Sequence, residues 1–520
     1  MYSTIFSGAL QGIQAYLVSV EVDVAKGLPA FFMVGSLSTE VRESRERVSV
    51  ALKNVGIDLP PCRITVNLSP ADRKKEGTAF DLPIAVGMLE AMGLIPHNAT
   101  EGCLFLGELG LDGEVKKVRG VLPIVRAAAE GGISQCIVPK ANVREGAVIP
   151  GIAVRGAENI LDIMHFLTAR QTERENLMPA VSVDTERLFR GAAEREPGGS
   201  DAPDFSEVTG QETARRAAEI AAAGFHNLLM VGPPGAGKSM IAKRIPGILP
   251  PLTLEESLEV TSVVSVAGLL EEGQTLVAQR PFRSPHHTIS QAALIGGSSV
   301  PKPGMISLAH RGVLFLDELP EFQRVSLDAL RQPLEEHRVN IARANGNVTY
   351  PSDFMLVCAM NPCPCGYYPD TKRCSCTVPQ VRKYMGKVSG PILDRIDLCV
   401  ELQPVDYESL KSKTKGEGSA EIGRRVEDAR KRQKERFRGS TYRFNGDIEA
   451  SAIEKYCRLG EAQQRCMEQL YDSLQLSARA YHRILRVART IADLEGAAQI
   501  EIPHLMEASF YRPSMDYWGH

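Results

Sequence analysis

Gly232-Pro233-Pro234-Gly235-Ala236-Gly237-Lys238-Ser239 is a full match to G-x-x-x-x-G-K-[ST], a pattern built to hold a nucleoside triphosphate by its phosphates. In such a loop the glycines let backbone N–H groups wrap the phosphates at a helix N-terminus. The lysine then reaches the β- and γ-phosphates, and the serine hydroxyl ligates Mg²⁺. Two carboxylates end a later apolar run, VLFLDEL. Asp317 is placed there to hold the Mg²⁺ shell with Ser239, and Glu318 to orient and deprotonate an attacking water. The same two acids on their own would read as a helix cap, so it is Lys238 and Ser239 that turn them into hydrolytic groups.

Three further groups carry chemistry with alternatives attached. Asn361 ends an apolar run, where its amide can bind a γ-phosphate or position the water, although Asn-Pro is also an ordinary turn. Arg395, in GPILDRID, is either a buried ion-pair partner or a finger reaching a neighbouring subunit's site. Cys363, Cys365, Cys374 and Cys376 form two C-x-C pairs around Lys372 and Arg373. Four thiolates so close suit a tetrahedral structural Zn²⁺, the other readings being reduced thiols on a loop or a redox pair. His286 and His287 have no partner at ligand spacing and read as packing residues.

The elements that must position these groups are legible as hydropathy patterns. NLLMV (227–231), VLFL (313–316) and FMLVCAM (354–360) are short continuous apolar runs, as in strands of a parallel sheet covered by helices on both faces. Upstream, Val18, Val20, Val22 and Val24 alternate with polar residues, as do Ile64, Val66 and Leu68, so these are half-buried strands. Val41, Val48, Leu52 and Val55 keep a helical period between them. Pro197, Gly198, Gly199 and Pro203 end a polar stretch that reads as a linker. From about Pro404 the chain turns helical and basic, ending on an amphipathic helix with Ile484, Val487, Ala488 and Ile491 on one face. The expected organisation is multidomain α/β: 1–167, a linker at 168–203, a P-loop core at 204–403 and a helical unit at 404–520.

Length and composition agree with this division. At roughly 150 residues per domain, 520 residues make three to four domains, and 43% apolar with 24% charged residues is an ordinary folded composition. With 60 Lys and Arg against 63 Asp and Glu the net charge is -3, so any nucleic-acid or membrane binding needs a local patch. The stretch 424–438 supplies one such basic run, which is either a solvated helix face or a DNA contact. No apolar run reaches the 18 or so residues of a membrane span, and eleven cysteines argue against a disulfide framework. The expected setting is cytoplasmic, with no membrane partner.

Taken together, the motifs resemble the AAA+ ATPases of the magnesium-chelatase-like group and, within it, the ComM/YifB family. The resemblance covers nearly the whole chain through DFSEVTGQE (204–212), GPPGAGKS, RPFRSPHHTIS (280–290), VLFLDEL, the NPCPCG run, GPILDRID and SARAYHRILRVARTIADL (477–494). It implies that Asn361 is sensor 1, that Arg395 is an arginine finger acting in trans, and that Arg479 is the sensor 2 arginine on a helical lid. It also implies a homo-hexameric ring formed with ATP. The segment 258–297 looks like the family's helix-2 insert, and 338–350 like the hairpin before sensor 1, which in related helicases touches DNA. Its Asn-Gly pair is independently a hairpin signal. Arg343 there, with Lys372 and Arg373, are the candidate DNA contacts.

The first domain resembles the Lon protease domain through KKEGTAFDLPIAV (74–86) and GELGLDGEVKKVRGVLPI (107–124). Lon-type catalysis needs a serine with a lysine base, and those positions fall on Ala79 and Leu122. Proteolysis is therefore not expected. What the resemblance implies is an ATP- and Mg²⁺-dependent hexameric motor on single-stranded and branched DNA, a helicase or branch-migration translocase in natural transformation or recombination. The alternative it leaves is a chelatase-type motor that remodels a protein partner without DNA.

Overall fold

A computed structural model describes residues 1–187, 189, 203–271, 273–297, 302–343, 346–404 and 416–512. The first unit is built on an eight-stranded mixed sheet in the order β10-β9-β8-β5-β1-β2-β4-β3. Its strands are β1 (Tyr2–Gln11), β2 (Gln14–Lys26), β3 (Ala30–Val34), β4 (Cys62–Ser69), β5 (Cys103–Phe105), β8 (Gln135–Pro139), β9 (Ala153–Ala157) and β10 (Ala180–Val181), while β6 (Glu108–Leu109) and β7 (Val115–Lys116) make a separate small hairpin. The period of two in β2 and β4 is realised: Val18, Val20, Val22, Ile64, Val66 and Leu68 are all buried under the helices Ser44–Asn54 and Asp81–Ala91. Ala79 packs against the apolar cluster that contains Leu122. The two positions at which a Lon-type dyad would stand thus hold apolar side chains in apolar surroundings.

The expected linker begins later than residue 168. Gln171–Leu177 is helical and β10 pairs antiparallel with β9, Ala180 opposite Arg155. Polar composition misleads here because an edge strand and a surface helix need few apolar residues. The Pro-Gly-rich part, from residue 190 to 202, lies outside the described residues.

The second unit carries a five-stranded parallel sheet of β11 (Leu228–Val231), β12 (Phe282–Arg283), β13 (Val313–Leu316), β16 (Met355–Met360) and β17 (Leu398–Glu401), ordered β12-β13-β16-β11-β17. β14 (Arg338–Arg343) and β15 (Gly346–Pro351) form a hairpin apart from it. All the residues of β11, β13 and β16 are buried, which is why they read as unbroken apolar runs. The helix Leu254–Ala267, capped by Thr253 and Glu256, opens the expected insert. It meets the first unit, where Lys117 Nζ donates to the Leu270 carbonyl at 2.8 Å and Gly120 N to the Ser265 carbonyl at 3.2 Å.

The C-terminal unit is helical, with Ser419–Arg436, Glu461–Ser473, Ala478–Leu494 and Ile502–Phe510. The stripe Ile484, Val487, Ala488 and Ile491 is buried and joins the core of the parallel sheet. The basic run on Ser419–Arg436 is largely spent inside the chain. Arg425 pairs with Glu219, Arg432 donates to the Asp493 carbonyl at 2.8 Å, Arg436 binds Asp493, and the Arg430 guanidinium lies 4.0 Å over the Phe444 ring. No helix among the described residues is long and apolar enough to cross a membrane.

Candidate functional site

The glycine loop leaves β11 at its carboxyl end, flanked by β16 and β17, the place in a parallel sheet where ligands bind. Gly237, at φ +93°, is the residue from which the helix Lys238–Ile248 starts. That left-handed conformation is strained for any residue with a Cβ. Lys238 is buried, with Nζ donating to the carbonyls of Gly232 and Pro233 at 2.6 and 2.9 Å and to Asn361 Oδ1 at 3.0 Å. Burial pushes its ammonium down from the ordinary value, with Asp317 and Glu318 pulling the other way. The Ser239 hydroxyl donates to Asp317 Oδ2 at 2.7 Å, and Asp317 Oδ1 accepts the Glu318 N–H at 2.9 Å.

Lys238, Ser239, Asp317, Glu318 and Asn361, drawn from three separate strand ends, therefore converge on one loop. A cation donor, a hydroxyl–carboxylate pair and a second carboxylate are the donor set that a nucleoside triphosphate with Mg²⁺ requires, and their mutual distances fit it.

Two further residues belong to this site, Gln211, to which the sequence assigned no role, and His287, which read as a packing residue. Gln211 Nε2 donates to the Ala236 carbonyl at 3.2 Å and to that of Gln403 at 2.6 Å, fastening the glycine loop to the residues after β17. His287 places Nδ1 3.4 Å from Glu318 Oε2, with the His286 ring tilted against it at 4.1 Å between centroids. Nothing in the local pattern signals that contact, since the partners are joined only by folding.

Arg395 and Arg479 lie elsewhere. Arg395 is just before β17, at the amino end of the sheet. It pairs with Glu335, and Arg479 Nη1 lies 2.8 Å from Asp394. Both line one cavity with His482 and Arg486. A larger one of about 670 Å³, to which Arg395 also contributes, adjoins it and includes Arg311, His337, Asp353 and Arg443. The strands stand between these arginines and Lys238, so they do not meet the chain's own phosphate loop.

Cys363, Cys365, Cys374 and Cys376 come together with all four sulfurs within 4.8 Å of one another. The Gly366 and Tyr368 N–H groups donate to Cys363 Sγ at 3.2 and 3.4 Å, and the Tyr367 N–H holds the Cys365 thiol down at about 6. This geometry is compatible with a structural zinc site. Lys372 and Arg373 are exposed on the same loop. Arg343 is the last residue of β14, paired with Gly346 across the hairpin end.

A parallel sheet with a phosphate loop after β11 and an acid pair after β13, with β16 between those two strands, defines a P-loop nucleotide-binding fold. The family described as magnesium chelatase, subunit ChlI, matches residues 204–410, its C-terminal part matches 416–512, and subunit ChlI of Mg-chelatase matches 20–142. The chain belongs to the magnesium-chelatase-like AAA+ family, in its ComM/YifB branch. It is 42% identical to the competence protein ComM of Haemophilus influenzae over 509 residues, covering 98% of this chain and 97% of that protein. It is 41% identical to YifB of Escherichia coli over 513 residues, with 98% and 97% covered.

Proposed function

We propose that this chain hydrolyses ATP at the interfaces of a homo-hexameric ring and uses the cycle to move single-stranded or branched DNA, as a helicase or branch-migration translocase. The observation that carries this reading is the separation of two cationic groups by the length of the parallel strands. Lys238 is at the carboxyl ends with Glu318 and Asn361, and Arg395 and Arg479 are together at the amino ends. Arginines so placed serve a phosphate site only in trans, across a subunit interface.

In that cycle Lys238 binds the β- and γ-phosphates of the substrate, and Asn361 holds both Lys238 and the attacking water. Glu318 takes the water's proton as the bond to the γ-phosphorus forms and the bond from that phosphorus to the β–γ bridging oxygen breaks, releasing ADP and phosphate. The neighbour's Arg395, with Arg479 lining the same cavity, meets the charge that spreads over the transferred oxygens. Mg²⁺, when bound between Ser239 and Asp317, supplies neutralisation of that charge.

The DNA part rests on the family and on the exposed cations Lys372 and Arg373. The hairpin β14–β15, with Arg343 at its end, and the loop bearing Lys372 and Arg373 are the surfaces we assign to DNA, and the competence role named for the Haemophilus relative supports a substrate taken up for recombination. Such work is cytoplasmic. The cysteine cluster, in the same reading, holds a structural Zn²⁺.

The test is ATP turnover with added single-stranded, duplex and branched DNA at one low salt concentration, with particle mass recorded with and without ATP. Strong stimulation with ATP-dependent rings supports the motor. Rings whose turnover ignores every DNA would replace it with a motor that remodels a protein partner.

A further inference from the structure

The cysteine cluster and Asn361 of the phosphate site are parts of one loop. Asn361, whose amide oxygen holds Lys238 Nζ at 3.0 Å, is the first residue after β16, and Cys363 is two residues further on, fully buried. From 361 to 377 the chain forms neither helix nor strand, and a connection that long inside a compact unit calls for its own fastening. The cluster supplies it. Cys363 Sγ is 3.3 Å from Cys365 Sγ and 3.8 Å from Cys374 Sγ, with 3.5 Å between the last two.

The loop also touches the glycine loop directly. A Cβ on Gly366 would stand 2.6 Å from Pro234 Cδ, so only glycine permits the approach. The four-sulfur knot thus abuts the phosphate site at two points, through the main chain to Asn361 and through Gly366 to Pro234.

We propose that a divalent metal of the Zn²⁺ class, held by Cys363, Cys365, Cys374 and Cys376, braces Asn361 against Lys238, so that metal occupancy sets the rate of ATP hydrolysis. This rests on the reading that the site hydrolyses ATP. The four sulfurs would fill all four positions of a tetrahedral ion, which would make the metal a brace with no open position for substrate. Four sulfurs at these separations suit a soft tetrahedral ion over Mg²⁺ or Ca²⁺, which take oxygen ligands. Asn361 is then the residue that touches substrate and the cysteines are positioning residues.

The experiment uses the full chain and the double variant Cys374→Ser/Cys376→Ser, which spares the buried Cys363. Metal content, binding of a fluorescent ATP analogue and basal ATP turnover are measured for the wild type, this variant, Asn361→Ala and the triple combination. A Co²⁺-loaded wild-type sample reports tetrahedral thiolate coordination by its visible spectrum. Expected are about one metal per wild-type chain, and in the cysteine variant loss of metal with turnover reduced about 10-fold. Analogue affinity should stay within about 3-fold, and adding Asn361→Ala to the cysteine variant should cost less than about 2-fold more, because both act on one group.

A wild-type chain without metal overturns the proposal, and so does metal loss with unchanged turnover or losses that simply multiply. Loss of analogue binding together with turnover also overturns it, since the metal would then serve the fold and not Asn361. Failure of the DNA-motor reading looks different: turnover ignores DNA in every variant while its dependence on metal persists.

Discussion

His287 Nδ1 lies 3.4 Å from Glu318 Oε2, although the histidine comes from the insert and the glutamate from the end of β13. Glu318 is held at φ +54°, a left-handed conformation that strains a residue with a Cβ. The imidazole is itself fixed between the His286 ring and the edge of Phe322, at 4.1 and 6.4 Å. A base aimed by its neighbours loses rate when one is removed, while substrate binding is spared. His287→Ala should therefore lower kcat for ATP about 10-fold and kcat/KM equally. Steady-state kinetics checks this, and a raised KM at unchanged kcat would show that His287 contributes to binding instead.

Lys238 and Glu318 should fail in different ways. Lys238→Ala removes the ammonium that bridges Gly232, Pro233 and Asn361, and is expected to abolish binding of an ATP analogue. Glu318→Gln keeps shape and length and removes only the capacity to take a proton, so binding persists and hydrolysis falls at least about 100-fold. Equilibrium binding beside a turnover assay separates the two, and normal hydrolysis by Glu318→Gln would mean that another group is the base.

The position of Arg395 at the amino end of the sheet yields a mixing experiment. Arg395→Ala alone and Lys238→Ala alone should each be inactive, the first for want of a finger and the second for want of a bound substrate. If the finger acts across an interface, an equimolar mixture regains activity where an Arg395→Ala subunit's intact site faces a Lys238→Ala neighbour's arginine. Random assembly places that pairing at about a quarter of interfaces in a cyclic ring. A mixture as inactive as its components would place Arg395 in its own subunit's chemistry or in none.

Much of this site can be read in the sequence because its signals are local. The glycine loop, the acids after VLFL and the buried runs at 228–231, 313–316 and 355–360 are each recognisable within ten residues. What escapes is non-local pairing. Arg425 and Arg436 look like part of a free basic face until folding brings Glu219 and Asp493 to them, and His287 looks like packing until it meets Glu318. Ala180–Val181 reads as linker because two edge residues become a strand only when β9 pairs with them.

The join between the sheet and the helical unit should weaken in acid. Asp397 sits at the amino end of β17 with Arg486 Nη2 3.2 Å away and His226 Nδ1 at 3.7 Å, and its Oδ2 accepts the Asn227 N–H. Burial raises its carboxyl, but Arg486 and His226 outweigh that and bring it down to about 2. A carboxyl depressed on folding stabilises above its unfolded value and loses that contribution as pH falls through the folded one, here from about 4 to about 2, an effect of about 2–3 kcal/mol. Asp397→Asn should be less stable than wild type by that order at pH 7, and the gap should narrow across this window. Thermal unfolding against pH tests it, and a gap independent of pH would assign the loss to the Asn227 hydrogen bond.

Glu145 ties the first unit to the insert. Its buried carboxylate accepts the Leu122 N–H at 3.0 Å and Asn142 Nδ2 at 2.8 Å within its own unit, and the Ser265 hydroxyl from the helix Leu254–Ala267 across the join. Glu145→Ala would take the acceptor from the Leu122 N–H, from the Ser265 hydroxyl and from Asn142 Nδ2, which keeps the Val118 carbonyl, and so unsettle the first unit itself, by about 2–3 kcal/mol. Ser265→Ala removes only the bond across the join and leaves the carboxylate two partners, so its cost is about 1–2 kcal/mol, confined to the contact. Hydrogen exchange should then quicken over 254–267 and over 117–122, where Gly120 and Lys117 make the remaining bonds to the insert, while the eight-stranded sheet keeps its protection. Because the same insert carries His287, the variant should also lower ATP turnover. Unchanged exchange at both surfaces would show that Ser265 contributes nothing to holding the units together.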